Sequence, residues 1–299
     1  MREILEMLSD TGTADVHGVI NEVLAKKVEE AARPKRCFRD LITLNTDLLN
    51  KSGDVVRVPL RETLTATEIA EHATVDPSTL TYGTSCTLRP TEFATGVRIS
   101  QQAIERGVNI LTGCTREIGE SLAQCEDIEI RTALNEGTIS IYGGDATSTA
   151  SLEAGDRLTP ELFTRAILRV RQSDFEPTDC VIGAEQQYSL STYPQFSDAA
   201  MWGGTDVLKT GYVPQYMGVK IHTSGNIEKE HGGISTAVPY STCYMIDGPR
   251  ACALAIKRNP TINRAYKVLE RKHEIVGSMD FDAGLLNSDA VVKIVVSND

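Results

Sequence analysis

No apolar run in the sequence approaches the ~20 residues that a membrane-spanning helix needs, and the opening Met1-Arg2-Glu3-Ile4 lacks the apolar core of a signal peptide. No membrane partner is therefore expected, and synthesis in the cytoplasm is. The seven cysteines (Cys37, Cys86, Cys114, Cys125, Cys180, Cys243, Cys252) form no CxxC pair and have no histidine at ligand spacing. Zinc sites and disulfide frameworks cluster their ligands, so these read as reduced, packed thiols, with Cys125 on the apolar stripe of a helix. The five histidines (His17, His72, His222, His231, His273) stand apart from one another, and a metal site would have to be assembled by the fold. A GxxxxGK[ST] phosphate loop, a GxGxxG fingerprint and a GxSxG elbow are all missing, and the glycine pairs at Gly143, Gly203 and Gly232 read as turns. No cofactor is implied. A Ser/His/Asp triad needs only spatial proximity and stays open. Lysine is missing between Lys51 and Lys209, so every positive charge in that stretch is Arg, a planar donor suited to bidentate pairs with carboxylates.

What is present is an acidic chain with material for a core. Apolar residues make up 41% of 299, and at roughly 150 residues per domain the length suggests about two domains. Lys plus Arg total 30 against 41 Asp plus Glu, a formal charge of −11, which argues against an electrostatic nucleic-acid clamp. The charge is uneven. From Asp145 to Lys209 there are ten acids against five bases, whereas from Arg250 to Lys272 there are seven bases (Arg250, Lys257, Arg258, Arg264, Lys267, Arg271, Lys272) and one acid, Glu270. Such complementary patches could meet between copies, or be the solvated face of a charged strand. The carboxylate pairs Glu126-Asp127, Glu29-Glu30 and Asp280/Asp282 suit acid–base work but read as solvated helix or turn faces. Tyr188, Tyr193, Phe196 and Trp202 are the one aromatic concentration, read as core filling, with a pocket or interface as the alternative.

Along the chain, Asp15 to Ala32 has the apolar period of an amphipathic helix, stopped by Pro34. One short helix and an extended strip cannot enclose a core, so this piece reads as an arm. Asp54-Val-Val-Arg-Val-Pro-Leu60 alternates as a strand, and Cys86 to Ser100 returns as a second extended run. Between them Arg61 to Ser85 is polar, with a turn at Asp76-Pro77-Ser78, and has too little apolar surface to pack on its own body. Thr112 to Asn135 is the longest helix, with Ile118, Leu122, Cys125 and Ile128 in one stripe, Asp127 and Arg131 as an i, i+4 pair, and Gly137 as its stop. Gly143 to Gly155 reads as a flexible small-residue linker. Thr159-Pro160-Glu161 opens a second helix with a cap, Pro at its first position and a Leu158–Phe163 staple. Asp179 to Gly183 is a short buried strand before a polar helix at Ala184 to Leu190. Tyr193 to Gly233 is glycine-rich and irregular around the strand Gly218 to His222, and strands follow at Thr242–Asp247, Cys252–Ile256, Glu270–Val276 and Ala290–Val296.

This order resembles the major capsid protein of tailed bacterial and archaeal viruses, the Hong Kong 97-type capsid fold, an α+β architecture. Arg89-Pro-Thr-Glu-Phe-Ala-Thr-Gly-Val-Arg-Ile-Ser100 is similar to the strand of that fold's extended loop that rises to the spine helix. Glu117 to Gly137, ending Ala-Leu-Asn-Glu-Gly, is similar to the spine helix. Asp289-Ala-Val-Val-Lys-Ile-Val-Val296 resembles the last strand of the peripheral domain, and Tyr216-Met-Gly-Val-Lys-Ile-His222 an axial-domain strand. The likeness covers about Phe38 to Val296 and rests on order and spacing.

The resemblance implies an N-terminal arm over 1–53, an extended β-hairpin loop with its strands over 54–100, a peripheral domain over 101–180 and 241–299 with the spine helix at about 112–136, and an axial domain over 181–240. It implies a non-enzymatic subunit that assembles with itself into pentamers and hexamers, contacts neighbouring capsomers, and forms an icosahedral head enclosing double-stranded DNA without sequence-specific binding. Portal and decoration proteins are possible further partners. One branch of the family cross-links subunits from a Lys on the extended loop to an Asn; this loop has no Lys, so a non-covalent shell is expected. The arm helix beginning near Asp15 leaves no room for a scaffolding segment, so a separate scaffolding protein or none is expected. Candidate inter-subunit contacts are Asp76, Pro77, Arg89, Arg250, Arg258, Arg264, Lys267 and Arg271. The alternatives are an encapsulin-type cellular compartment shell of the same fold, or a cytosolic α/β enzyme using the Tyr188 to Trp202 region.

Overall fold

The computed structural model describes residues 10–11, 37–59, 66, 68, 86–106, 110–193, 215–230 and 238–298. The expected arm helix at Asp15–Ala32, nearly all of the Arg61–Ser85 excursion with Asp76 and Pro77, and Phe196 and Trp202 lie outside these residues.

The extended run before the long helix forms strand β5 (Thr91–Ser100). Two strands distant in sequence, β12 (Cys252–Lys267) and β13 (Lys272–Leu285), form an antiparallel hairpin, and β13 pairs antiparallel with β5 from Phe281↔Thr91 to Lys272↔Ser100. Short N-terminal pieces sit on both edges: β1 (Asp10–Thr11) lies parallel to β5 at Arg98 and Ile99, and β2 (Thr43–Asn45) parallel to β12 at Ala253–Ala255. The resulting order is β1-β5-β13-β12-β2.

A second, seven-stranded sheet runs β6 (Ile139–Tyr142), β14 (Val291–Ser297), β11 (Tyr240–Ile246), β7 (Asp179–Ile182), β9 (Val219–Thr223), β8 (Gln215–Tyr216), with β10 (Glu228–Glu230) also paired to β11. β14 is central and covered on both faces, which is why its sequence is a nearly unbroken apolar run rather than an alternation. Val292, Ile294 and Val296 share a core with Leu158, Leu162, Phe163, Ala166, Ile167 and Val170 around helix α3 (Pro160–Gln172), while Val291 faces the opposite core. The start of α3 is as the sequence reads: Thr159 Oγ1 accepts the Leu162 N–H at 3.1 Å and Pro160 needs no partner for its nitrogen. A small ribbon of β3 (Val56–Val58) and β4 (Cys86–Leu88) completes the described strands. The remaining helices are α1 (Gln101–Arg106), α4 (Ala184–Ser191) and α5 (Gly248–Ala251), besides the long one.

That long helix, α2 (Ile110–Asn135), has 26 residues, and at 1.5 Å per residue it spans about 39 Å. It serves two cores. Ile118 and Leu122 pack with Ile99, Ala103 and Ile275 of the hairpin sheet, whereas Ile130, Ala133 and Leu134 pack with Tyr244, Ile246, Leu254 and Val291. Its approach to β13 is close at Gly277, where a Cβ would collide with Ile118 and stand 3.1 Å from Leu122 Cδ1.

Two expectations differ from what forms. The stretch from Gly143 to Gly155 is held rather than flexible: Asp156 Oδ2 accepts the Glu153 N–H at 2.9 Å, Asp156 O accepts the Ser297 N–H at 2.9 Å, and Ser148 and Ser151 cap each other. The strands expected at Cys252–Ile256 and Glu270–Val276 are parts of one hairpin several residues longer on each arm. The outer part of β12, beyond Ile256, escaped the sequence reading because it is exposed on both faces and shows no apolar alternation.

Gly277→Ala is expected to lower unfolding free energy by about 1–3 kcal/mol, because the added methyl has to push α2 off the sheet. Gly119→Ala, at a helix position with nothing within 4 Å of a new Cβ, is expected to raise it by up to about 1 kcal/mol. Chemical denaturation of both variants checks the pair; equal effects would contradict the close approach.

Candidate functional site

The β12–β13 hairpin gathers most of the basic run from Arg250 to Lys272. Its face towards α2 carries Ile275 and Gly277; the opposite face carries two charged rungs that cross all three long strands. In one, Glu274 lies 2.8 Å from Arg98 Nε and 2.7 Å from Lys267 Nζ. In the other, Arg258 Nη2 lies 2.5 Å from Glu92 and 2.8 Å from Asp280. Hydrogen bonds from Lys267 and then Arg98 hold the Glu274 carboxyl below its ordinary range against some desolvation, and Glu92 and Asp280 push Arg258 up. Partly exposed pairs of this kind are screened by solvent and contribute little, enough to favour one register but not to form the hairpin.

Arg258 and Lys267 are therefore engaged within their own chain. Arg264 Nη2 lies 3.4 Å from His273 Nδ1, the His273 Nε2 lies 2.8 Å from Gln101 Oε1, and the His273 ring is tilted against Tyr266 with centroids 4.6 Å apart. Arg271 stands at the turn with φ 52° and is exposed. The turn also presents Val268 at 72% and Leu269 at 100% exposure, with Ile262 and Tyr266 half-exposed nearby. Arg250 lies at the base of the hairpin on α5, 3.8 Å from Asp247. Arg89 forms the corner between β4 and β5, its N–H donating to Asp282 Oδ2 at 2.5 Å. Thus Arg258, Arg264, Lys267 and Arg271 share one hairpin, Arg250 and Arg89 flank it, and Asp76 and Pro77 lie outside the described residues.

A second cluster lies at the middle of α2 and runs against the sequence reading. Glu126 and Asp127, expected on a solvated face, are 3% and 2% exposed. Asp127 Oδ1 accepts the backbone N–H of Phe38 at 2.9 Å and of Cys37 at 3.3 Å, while Oδ2 accepts Asn226 Nδ2 at 2.8 Å. Arg131, expected to pair with Asp127, donates to the Asn226 carbonyl at 3.0 Å, and Glu126 takes Arg39 at 3.1 Å. No local pattern marks this, because the partners are 87 to 99 residues away in sequence. A cavity of about 330 Å³ opens beside it, lined by Cys37, Arg39, Asp40, Ala123, Glu126 and Asp127.

The remaining chemistry is sparse among the described residues. No group of three or more His, Cys, Asp or Glu gathers there in a form that could hold a metal ion. Cys180, Cys243 and Cys252 are buried, and burial pushes Cys243 and Cys252 up to about 12, so as thiols they are poor nucleophiles. His222 Nε2 lies 2.9 Å from Asp179 Oδ1, with Thr178 Oγ1 donating to Asp179 Oδ2 at 2.7 Å. Tyr188 is 66% exposed on α4, whereas Tyr193 packs against the core of the seven-stranded sheet.

No family model matches the sequence, and no curated protein matches it. Solved structures do. The acid-stable capsid of Helicobacter pylori bacteriophage KHP30 superposes with a TM-score of 0.74 at 13% identity, over 93% of this chain and 96% of that one. The chain has the Hong Kong 97-type phage capsid fold. The capsid of Ralstonia phage GP4 gives a TM-score of 0.72 at 16% identity over 93% and 96% of the two chains, and the capsid of a native GTA particle gives 0.68 at 12% over 97% and 99%. Identities this low speak for the fold alone, and the coverage shows that it accounts for the chain nearly end to end. Within this capsid fold the long helix expected at about 112–136 is α2, and the final strand expected at 290–296 is β14.

Burial alone would raise the Asp179 carboxyl, but hydrogen bonds from His222 and Thr178 hold it below its ordinary 3.8. A depressed folded-state value stabilises the fold above pH 3.8, and that contribution is lost as pH falls through the folded value. The stability gap between the wild type and Asp179→Asn is therefore expected to be widest near neutral pH and to close on acidification below 3.8, as read from denaturation midpoints across pH. A gap independent of pH would contradict the pairing.

Proposed function

We propose that this chain is a major capsid protein, which assembles into pentamers and hexamers and closes an icosahedral head around double-stranded DNA. The observation that carries the reading is the likeness to subunits of assembled phage and GTA capsids across nearly the whole of both chains. A feature of the chain itself supports it independently. The β12–β13 hairpin exposes a fully bare Leu269, a largely bare Val268 and a strand edge that β2 covers only at Ala253–Ala255. The edge itself is blunted by Pro260, by charged side chains and by irregular register, so the exposed apolar turn carries the argument: a subunit that packs against copies of itself gains from it.

In this reading the arm is 1–53, the extended loop and its strands 54–100, the peripheral domain 101–180 with 241–299, and the axial domain 181–240. The loop over Arg61–Arg89 lies on a neighbour, consistent with its low apolar content. Many modest contacts repeated around a closed symmetric shell sum to high stability. The lysine-free loop supports a shell held without covalent cross-links, and the charge of −11 suits a wall to which packaged DNA should not adhere. Arg250, Arg264 and Arg271 are the proposed partners for acidic surface on the adjacent subunit, with Arg258 and Lys267 fixing the register of the strands that carry them.

Sizing and negative-stain microscopy of the purified chain are expected to show capsomer rings or megadalton shells that fall apart to single chains on a denaturing gel. A stable monomer or small dimer would contradict the reading. Leu269→Asp and the double variant Arg264→Glu/Arg271→Glu are expected to keep the unfolding free energy within about 0.5 kcal/mol of wild type. Both are expected to cut the assembled fraction by about tenfold or more, since a deficit of about 1 kcal/mol recurs at each contact.

A further inference from the structure

The buried carboxylate of Asp127 stands where three separate parts of the chain meet: the middle of α2, the chain at Cys37 and Phe38, and the segment at Asn226. Its helix is already held by Ile118 and Leu122 on one side of it and by Ile130, Ala133 and Leu134 on the other. An apolar residue there would continue the stripe. A carboxylate taken out of water has to be compensated by hydrogen bonds, and this one has three, all from outside α2. Two of its donors are consecutive backbone N–H groups, those of Cys37 and Phe38, which fix the direction of the main chain at that point as well as its position. The Phe38 side chain enforces the same placement, fully buried and edge-on to Tyr244 with ring centroids 5.9 Å apart.

Downstream of Phe38 the arm is docked repeatedly: β2 pairs with β12, Leu41, Ile42 and Leu49 pack on the core, and the backbone at Leu41 sits so close to Gly248 that a Cβ there would collide with it. Upstream, the next described contact is β1 on β5. Among the described residues Asp127 is thus an anchor at the boundary with residues 12–36. At about 3.4 Å per residue those 25 residues could run out and back by about 40 Å at most, far enough to reach an adjacent subunit.

We propose that Asp127 is a positioning residue for assembly: with Asn226 it sets where and in which direction the N-terminal arm leaves the body, and so which part of a second copy the arm meets. This inference rests on the capsid reading. The second ligand matters because Asn226 comes from the segment between β9 and β10, and Arg131 holds the Asn226 carbonyl from the same helix. The arm's departure point is therefore set jointly by α2 and the strand region beyond β9, so a shift of either moves the arm.

The pairing suggests its own test. In Asp127→Asn the new amide can still accept from Phe38 but then turns a donor towards the Asn226 amide donor, so the pair is satisfied only if Asn226 turns its amide over. Asn226→Asp alone puts two carboxylates face to face. The double variant Asp127→Asn/Asn226→Asp restores one donor opposite one acceptor while keeping an oxygen for Phe38. Hydrogen exchange is read at the Cys37 and Phe38 amides and, as an internal reference, across β11 and β14; assembly is read by sizing.

Each single variant is expected to speed exchange at Cys37 and Phe38 by about ten- to a hundredfold, leave β11 and β14 unchanged, and reduce the assembled fraction by about tenfold. The double variant is expected to recover both. Unchanged exchange at Cys37 and Phe38 in the single variants would overturn the clamp. Equal acceleration throughout β11 and β14 would make Asp127 a residue of the fold rather than of the arm. A loosened arm root with full assembly would overturn the positioning role. If the wild type forms no assemblies under any condition, the capsid reading fails and takes the assembly role with it, while exchange at Cys37 and Phe38 still decides whether Asp127 holds the arm.

Discussion

Between Leu122 and Ile130 the long helix changes partners, and the carboxylate of Asp127 stands at that changeover. N-terminal to it α2 packs on the hairpin sheet, and C-terminal to it α2 joins a core that both sheets build, with Leu254, Ile256, Met279 and Phe281 from the hairpin and Tyr244, Ile246 and Val291 from the seven-stranded sheet. The three hydrogen bonds to Asp127 bring the arm at Phe38 and the segment at Asn226 to the point on the helix where the core shared by both sheets begins. The helix length follows from this role: about 39 Å is enough to cross both cores. So does the glycine at Gly277, which lets the first half of the helix come close enough to β13 for Ile118 and Leu122 to be buried.

With the body fixed in this way, the remaining parts are the ones that project. The outer half of the β12–β13 hairpin leaves the core, keeps its register through the Glu274 and Arg258 rungs, and carries apolar and basic side chains to its turn. The rungs contribute little to global stability, but they spend the charges that would otherwise make the hairpin an undirected basic surface. What is left exposed around the turn includes Ile262, Arg264, Tyr266, Val268, Leu269, Glu270 and Arg271. The arm leaves from the opposite kind of environment, a buried and fully directed one.

Much of this was legible in the sequence wherever the determining interactions are local. The cap of α3 lies within four residues of Thr159, and the period of α2 and the apolar run of β14 are carried by the segments themselves. Legibility ended where a distant partner decides. Glu126 and Asp127 look like an ordinary solvated pair until Arg39, Phe38 and Asn226 arrive from outside the helix. The Gly143–Gly155 stretch reads as loose until Asp156 and Ser297 tie it down. The outer part of β12 has no buried face, hence no period to detect, and a pairing such as Arg264↔Ile275 leaves no trace in either strand alone. The candidate contact residues on the hairpin were chosen by charge count, which could not tell Arg258 and Lys267, paired with carboxylates of the same chain, from Arg264, which meets His273, and Arg271.

The central claim is that surfaces the isolated subunit leaves exposed are completed by other copies. Amide hydrogen exchange compared between the isolated chain and its assembled form measures this directly. The account requires exchange at Ile262 to Lys272 to slow by about tenfold or more on assembly while the buried amides of β14 stay as they are. Identical exchange at the hairpin in both states would contradict it.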